Sequence, residues 1–248
     1  MTSLAPPSIV QALLSALALV SPVDCAGCGR ADVELCPACR TRLRPALRRA
    51  ALPDGTPLVS GLEYSGAVRD VVLAFKQQGR WRLGRPLAPA VQAALLAAAG
   101  AGSPGAGAGP PEVGAVLPDV GASSEAGAPP GVVVVAVPSS AAGLRRRGYD
   151  PVRVLLRAAR VRPAPRGLRV SRASGVQKGR SRAERQAARV GTLAASRRLT
   201  GHRVVVVDDV VTTGSSLVEA VRACSAVGAD VVGAACLADT PLVSESAA

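Results

Sequence analysis

The sequence has very few aromatic residues. Phe, Trp and Tyr make up 2% of its 248 residues, whereas apolar residues of all kinds make up 48%. A buried core must therefore be built from Val, Leu and Ala. The scarcity also disfavours a surface that binds single-stranded nucleic acid by base stacking, because such surfaces place several aromatic side chains along the bound strand. The four rings are Tyr64, Phe75, Trp81 and Tyr149.

Lysine and histidine are also rare. Of the 30 basic residues only Lys76 and Lys178 are lysines, which leaves 28 arginines, and His202 is the single histidine. His202 has no evident Ser or Cys partner, so we interpret it as structural rather than as the base of a nucleophilic triad. The formal net charge of +13 permits contact with nucleic acid, but such charge often belongs to a solvated basic face.

Long apolar runs are missing as well. No run reaches the roughly 18 residues that a membrane helix needs, so we predict no membrane span. Residues 9–20 are mostly apolar, but residues 1–8 carry no Lys or Arg, which disfavours a secretory signal. We expect an N-terminal helix over residues 8–20 and a cytoplasmic protein.

Four of the six cysteines form two closely spaced Cys-x-x-Cys pairs. The members of these pairs are Cys25, Cys28, Cys36 and Cys39. Each pair turns two thiolates toward one point, and two pairs complete a tetrahedral set for Zn²⁺. Disulfides or free buried thiols are the alternatives, and the missing export signal favours zinc. Because cysteine fills all four positions, we predict structural rather than catalytic Zn²⁺.

Residues 204–216 read VVVVDDVVTTGSS and are the most informative stretch. Four valines are typical of a strand buried on both faces, and Asp208 and Asp209 come where we expect that strand to end. Small hydroxyl residues and one glycine follow, and then a segment with helical spacing. Unpaired N–H groups and the helix dipole favour an anion at such a helix start. The carboxylates suit sugar hydroxyls, or a metal ion shared with the phosphates. The predicted phosphate-binding residues are Val211, Thr212, Thr213, Gly214, Ser215 and Ser216.

A second candidate ligand loop follows another predicted strand, at residues 132–137. Pro138 precedes Ser139 and Ser140, and three consecutive arginines that end at Arg147 come shortly afterwards. These arginines could clamp a polyphosphate, or they could form an ordinary basic helix face. The sequence supports the two interpretations equally.

Two segments differ in composition from the rest. Residues 100–131 are dominated by Gly, Ala, Pro and Ser and are predicted to be a flexible insertion. Residues 171–190 carry Lys178 and combine a polar, Gly-containing half with a basic half that has helix-start spacing. Such a segment suits an active-site lid, and it equally suits any exposed loop.

Together these motifs resemble a known family. Residues 204–216 resemble the signature by which type I phosphoribosyltransferases bind 5-phosphoribosyl 1-pyrophosphate (PRPP). With the four cysteines in front, the chain resembles the ComF (competence protein F) family. Tyr64-Ser-Gly ahead of the helix with Lys76, and Arg147-Gly-Tyr, add to the likeness. Asp150 and Pro151 depart from the family pattern, which usually has Asn-Gln at these two positions.

The resemblance implies an α/β fold, namely a parallel-sheet type I phosphoribosyltransferase fold with a small N-terminal zinc-binding domain. Residues 1–50 would hold the N-terminal helix and a zinc-ribbon-like domain. Residues 58–240 would form the phosphoribosyltransferase-like domain, interrupted by the insertion. Residues 51–57, which contain two prolines and a glycine, are predicted to be a linker from their composition.

The resemblance also implies PRPP with Mg²⁺ as the ligand. Asp208 and Asp209 would hold the ribose 2′- and 3′-hydroxyls, residues 212–216 the 5′-phosphate, and residues 138–140 with the arginines would face the pyrophosphate. An unidentified nitrogen acceptor would displace pyrophosphate from C1. Lys178 or Arg182 would neutralise the leaving group.

A non-catalytic role is the second hypothesis. The domain would sense PRPP or a nucleotide, or would bind single-stranded DNA during uptake, with competence or helicase proteins as partners. The net charge agrees with DNA binding, and the shortage of aromatic residues opposes it.

Overall fold

The computed structural model describes residues 23–100, 131–171 and 191–240. The helix expected over residues 8–20, nearly all of the 100–131 insertion, and the segment with Lys178 and Arg182 lie outside the described residues. Within the described part of the chain, no helix is long and apolar enough to cross a membrane.

The centre of the fold is a five-stranded sheet that is parallel except for one edge strand. Its strands are β1 (Arg48–Ala51), β2 (Pro57–Glu63), β3 (Val132–Ala136), β6 (Arg203–Val211) and β7 (Asp230–Asp239), and a separate antiparallel pair contains β4 (Leu168–Val170) and β5 (Leu193–Ala195). The order across the main sheet is β1-β2-β7-β6-β3, and only β1 runs antiparallel to its neighbour. The predicted α/β fold with a parallel sheet is confirmed.

Helices cover both faces of the main sheet. The described helices are α1 (Pro37–Thr41), α2 (Gly66–Gln77), α3 (Gly84–Gly100), α4 (Ala141–Arg147), α5 (Pro151–Ala158) and α6 (Ser215–Ser225). Helices α2, α3 and α5 share one apolar core with the sheet, and α6 shares the other with the β4–β5 pair. Because a strand alternates its side chains between two faces, Val205 and Val207 join the first core while Val204 and Val206 join the second. The valine run of β6 is buried on both faces, as predicted.

The acidic pair lies inside β6 rather than beyond it, so the prediction that the strand ends at Asp208 was wrong. The strand continues to Val211 because β7 continues beside it, with Asp208 opposite Cys236. On the other side β3 stops at Ala136, which lies opposite Val207. The last residues of β6 therefore keep an open strand edge toward the end of β3.

Residues 51–57, predicted to be a linker, belong to a β-hairpin: residues 52–56 form its turn, and Ala51 pairs with Pro57 at the strand ends. The Leu52 N–H donates to the Thr56 carbonyl at 2.9 Å, and β1 adds an antiparallel edge to β2. The proline and glycine residues in this segment are turn residues, and β-hairpin turns use the same residue types as linkers. The hairpin brings Leu52 under the loop that follows β6, as described below.

The four-cysteine module packs directly on α2. Cys25, Cys36 and Cys39 are at most 3% exposed and belong to the same apolar core as α2, with Leu35 and Leu43. The guanidinium of Arg80, which follows α2, donates to the carbonyls of Asp24 at 2.7 Å and Glu34 at 3.2 Å. These contacts fix the module to the connection between α2 and α3.

Candidate functional site

The acidic pair is held by its own backbone and by a lysine from another element. The Asp208 carboxylate accepts from the Asp209 N–H at 2.8 Å, and that of Asp209 accepts from the Val210 N–H at 2.7 Å. Lys76 on α2 donates to Asp209 Oδ1 at 2.9 Å, and only 12% of the Asp209 side chain is exposed. Two carboxylates at an open strand edge can accept hydrogen bonds from hydroxyl groups. They also offer the oxygen ligands that Mg²⁺ prefers, so they fit that ion.

The surroundings of Asp208 disfavour its ionised form. Burial first, and then the negative charge of Asp209, together raise the pKa of Asp208 to about 8, although the hydrogen bond from the Asp209 N–H opposes the shift. Lys76 lies close enough to favour the ionised form of Asp208 as well. The site therefore holds less negative charge near pH 7 than two free carboxylates would, until a partner with hydroxyl groups or positive charge arrives.

The loop between β6 and α6 forms a polar hollow of about 120 Å³. Its lining consists of Asp208, Val210, Val211, Thr212, Thr213, Gly214, Ser215, Ser216 and Leu217. The hydroxyls of Thr213 and Ser215 are hydrogen-bonded to each other at 3.1 Å. Helix α6 starts here, and the N-terminus of a helix attracts anions. The predicted phosphate-binding residues are thus brought together beside the acidic pair.

Gly214 is required at this position for two reasons. Its φ is +72°, a left-handed backbone conformation that costs other residues about 1–2 kcal/mol. A Cβ atom there would also lie 2.9 Å from Leu52 Cδ2 and 3.4 Å from Pro53 Cδ. The side chains of the hairpin turn therefore pack against the loop at Gly214, a contact that the sequence did not indicate.

The second predicted loop lies next to β6, where β3 ends. The Val137 N–H donates to the Val207 carbonyl at 2.9 Å, which places Ser139 near the acidic pair. Arg147 curls back along α4 and donates to Ser139 Oγ at 3.3 Å. Ser140, predicted as a ligand contact, caps α4 by accepting from the Gly143 N–H at 3.1 Å. Only the last of the three arginines turns toward Ser139; the first two are exposed.

Two buried polar atoms beside this loop have no hydrogen-bond partner among the described residues. They are Arg147 Nε and the hydroxyl of Tyr149. The pKa of Tyr149 is raised, first by burial and further by the charge of Asp209, while Arg147 opposes the shift. Buried polar atoms are normally paired, so two such atoms beside the Ser139 loop point to a polar ligand.

Asp150 explains one departure from the family pattern. Its carboxylate accepts from the Arg153 N–H at 3.2 Å and so caps α5, and it accepts from the Ser139 N–H at 3.5 Å. Proline is favoured in the first turn of a helix, which accounts for Pro151. The Asp-Pro pair thus starts α5 and steadies the Ser139 loop.

Two other buried acids have structural partners. Asp239, at the end of β7, accepts from Ser60 Oγ at 2.7 Å and from Arg48 Nε at 3.2 Å. Glu219 on α6 accepts from the Leu193 N–H at 2.9 Å and pairs with Arg222 at 2.7 Å. Burial opposes ionisation of Glu219, but these donors hold its pKa below the ordinary value.

The four cysteine sulfurs meet at one point, as predicted. All four Sγ atoms lie within 4.8 Å of one another, and Cys28 Sγ lies 3.7 Å from Cys36 Sγ. Four sulfurs at 2.3 Å from one tetrahedral Zn²⁺ would be about 3.8 Å apart, so the cluster fits this ion. A Cβ at Gly27 would lie 2.9 Å from Cys39 Sγ, so the first knuckle needs glycine for space.

The thiols of the cluster are unequal before a metal binds. Burial opposes ionisation of Cys25, but N–H groups, including that of Cys36 at 3.3 Å, lower its pKa to about 6. Burial and the neighbouring sulfurs raise the pKa of Cys39 to about 12. A cation among the four sulfurs would favour the thiolate form of all of them.

The residues alone do not predict that Lys76 belongs to the site. A single lysine on a helix is usually solvated, and its partner Asp209 lies 133 residues away in the sequence. The only available signal was its place in the family pattern. Lys178, predicted as a catalytic residue, lies outside the described residues.

The geometry agrees with the comparison with known families. Residues 132–242 match the phosphoribosyl transferase domain family, and this segment contains β3, β6, the hollow and the acidic pair. A segment of 39 residues is 59% identical to orotate phosphoribosyltransferase from Bartonella quintana (strain Toulouse). That segment covers 16% of this chain and 20% of the length of the relative. The chain therefore contains a phosphoribosyltransferase-type domain.

Proposed function

We propose that the protein is a ComF-type phosphoribosyltransferase that binds PRPP with Mg²⁺ and transfers phosphoribose to a nitrogen acceptor. The observation that carries this proposal is the acidic pair beside the hydroxyl loop at the start of α6. A hollow for phosphate and carboxylates for hydroxyls, side by side, suit a phosphorylated sugar. The match of residues 132–242 to the phosphoribosyl transferase domain supports it.

The hollow would take the 5′-phosphate of PRPP. The start of α6 supplies N–H groups and the positive end of the helix dipole, and Thr213 and Ser215 supply hydroxyl donors. The bond between these two hydroxyls at 3.1 Å would give way to bonds with phosphate oxygens. Gly214 keeps the backbone free of a side chain that would displace the loop.

Asp208 and Asp209 would accept hydrogen bonds from the ribose hydroxyls. Before the ligand binds, Lys76 neutralises Asp209, which lowers the cost of holding two carboxylates together. Ligand hydroxyls or Mg²⁺ would take over this role, and Lys76 would then be free to face the phosphate groups. Lys76 is thus a positioning residue for the acidic pair.

The loop at the end of β3 would receive the pyrophosphate. Arg147 Nε and the Tyr149 hydroxyl are buried donors with no partner in the described structure, and pyrophosphate oxygens would satisfy them. Mg²⁺, when bound, would offset the negative charge of the leaving group. Asp208 and Asp209 are the carboxylates through which this chain could hold it.

The reaction requires no protein nucleophile. The bond between C1 and the pyrophosphate oxygen breaks, a bond between C1 and the acceptor nitrogen forms, and that nitrogen gives up a proton. Positive charge develops on the ribose ring as the pyrophosphate leaves. The Asp208 and Asp209 carboxylates, held beside the ring through its hydroxyls, would stabilise that charge.

We further propose that the four-cysteine centre holds one structural Zn²⁺. Three of its four cysteines are buried against α2, the helix that carries Lys76. Zinc would fix the module and, through it, the position of α2. The metal would therefore support the acidic pair without contacting substrate.

The test is pyrophosphate release from PRPP. The full-length protein with Mg²⁺ is offered a panel of purine and pyrimidine bases and amines, and pyrophosphate is measured with a coupled assay. Release with at least one acceptor, lost in Asp208→Asn/Asp209→Asn, supports transfer. PRPP binding without release across the panel would contradict transfer and favour a sensor of PRPP.

A further inference from the structure

A second concave surface lies away from the acidic pair, between the four-cysteine module and the start of α3. This groove has a volume of about 890 Å³. Its lining residues come from two segments, residues 34–45 of the four-cysteine module and residues 81–89 at the start of α3. None of these residues lines the hollow at α6, so the groove is a separate site.

The groove is strongly basic. Four exposed arginines line it. Arg40 and Arg44 come from the four-cysteine module, Arg82 from the short 3-10 turn that precedes α3, and Arg85 from the first turn of α3. Glu34 is the one acidic lining residue. Among residues 23–100, 131–171 and 191–240, none of the four arginines makes a salt bridge. Arginines gathered from two segments without acidic partners suit an anion, and the guanidinium group is well matched to phosphate.

The groove also presents an aromatic face. Trp81 is 53% exposed, and Trp81 is the only tryptophan of the chain. The Arg82 guanidinium lies 5.6 Å from the centre of its ring. Leu35, Leu43 and Leu83 also line the groove, but their side chains are buried, so Trp81 is its main exposed apolar group. An exposed indole beside arginines is the combination that binds a base by stacking and its phosphate by charge.

We propose that this groove binds a phosphorylated nucleotide, with the base against Trp81 and the phosphate on the arginines. The volume lies within the range of small-molecule sites. A simple polyanion would use the arginines but leave the exposed ring of Trp81 without a role. The nucleotide unit is either free or part of a single-stranded nucleic acid. This inference is independent of the proposed transferase activity.

Trp81 makes the site directly measurable, because the tryptophan fluorescence of the full-length protein comes from the groove alone. We expect AMP or oligo(dA) to quench it in a saturable way, and inorganic phosphate at equal concentration to quench it far less. If oligo(dA) binds more tightly than AMP, the ligand is a single-stranded nucleic acid. If AMP binds as tightly or more tightly, the ligand is the free nucleotide. No saturable quenching by either ligand would overturn the proposal.

Matched variants separate the groove from general electrostatics. Arg40→Gln/Arg44→Gln should weaken binding at least about tenfold, since two charge-assisted contacts are lost. Arg153→Gln/Arg157→Gln removes the same charge from exposed positions on α5 and should change binding less than about twofold. Equal losses in the two variants would contradict a groove site.

Two further measurements address the accessibility of Trp81 and the folding of the arginine variants. Acrylamide should quench Trp81 freely in the unliganded protein; protection would show that another part of the chain covers the groove and would overturn the proposal. If Arg40→Gln/Arg44→Gln unfolds at lower urea than the wild type, Arg82→Gln/Arg85→Gln replaces it. Retention of nucleotide affinity in this second variant, measured by calorimetry, would count against the site.

Discussion

Replacing Gly214 with alanine tests whether the hairpin turn supports the loop before α6. The left-handed backbone at φ +72° would cost alanine about 1–2 kcal/mol. The new Cβ would in addition meet Leu52 Cδ2 at 2.9 Å, and overpacking of this kind costs about 1–3 kcal/mol. We therefore expect Gly214→Ala to lower the free energy of unfolding by roughly 2–5 kcal/mol.

Gly228→Ala is the matched control. Gly228 also has a left-handed backbone, at φ +78°, but its nearest neighbour, Thr200 Cγ2, would lie 3.5 Å from the new Cβ, an ordinary contact distance. Urea unfolding followed by circular dichroism should show Gly214→Ala to be less stable than Gly228→Ala by about 1–3 kcal/mol, the overpacking cost alone. The double variant Gly214→Ala/Leu52→Ala should lose less stability than the two single variants lose together, because the smaller side chain at position 52 relieves the contact.

PRPP titrations of the same variants complete the test. Gly214→Ala should weaken binding even at temperatures where the protein stays folded, because relief of the contact displaces the phosphate loop. Gly228→Ala should leave binding unchanged, since Gly228 lies after α6. Equal stability of the two variants, together with unchanged PRPP affinity, would refute the proposed role of Leu52 and Gly214.

Three further predictions concern the other charged and metal sites. Metal analysis should find about one zinc per chain, and Cys28→Ser should lower both zinc content and thermal stability; a fully folded, metal-free protein would rule the zinc site out. Glu219→Gln should make the free energy of unfolding fall less steeply as the pH is lowered. Because the pKa of Glu219 is lowered in the folded state, its pairing with Arg222 stabilises the fold at pH values above the ordinary glutamate pKa of about 4.3. This stabilisation is lost as the pH falls through the lower pKa of the folded state. If Glu219→Gln lost stability in acid as steeply as the wild type, the pairing would have no such role. Lys76→Met should weaken PRPP binding, because it leaves Asp209 without its cation beside Asp208, whereas wild-type affinity would show that the ion pair has no part in the site.

The parts of the fold that depend on local patterns could be predicted from the sequence. The valine run of β6 had to be a strand buried on both faces, because no polar residue alternates with the valines. Val71 and Phe75 are four residues apart, a spacing that puts both on one face of α2, and both are fully buried. The two Cys-x-x-Cys pairs predicted the cluster that the structure shows.

The parts that depend on contacts between distant segments could not. Where β6 ends is decided by β7 beside it, so the position of Asp208 within the strand was missed. The pairing of Lys76 with Asp209 joins elements far apart in the sequence. The basic groove combines arginines from two segments, and nothing in either segment alone shows that Arg40 and Arg85 line one surface.

The most direct test of the central claim is calorimetric titration of the protein with PRPP and Mg²⁺. The wild type should bind one PRPP saturably. Asp208→Asn/Asp209→Asn should abolish binding while the fold is kept, since asparagine is similar in size but carries no charge. Asp70→Asn/Asp230→Asn makes the same charge change at exposed positions on α2 and at the start of β7, and should bind like the wild type. Unchanged PRPP binding in the Asp208→Asn/Asp209→Asn variant would contradict the assignment of the site.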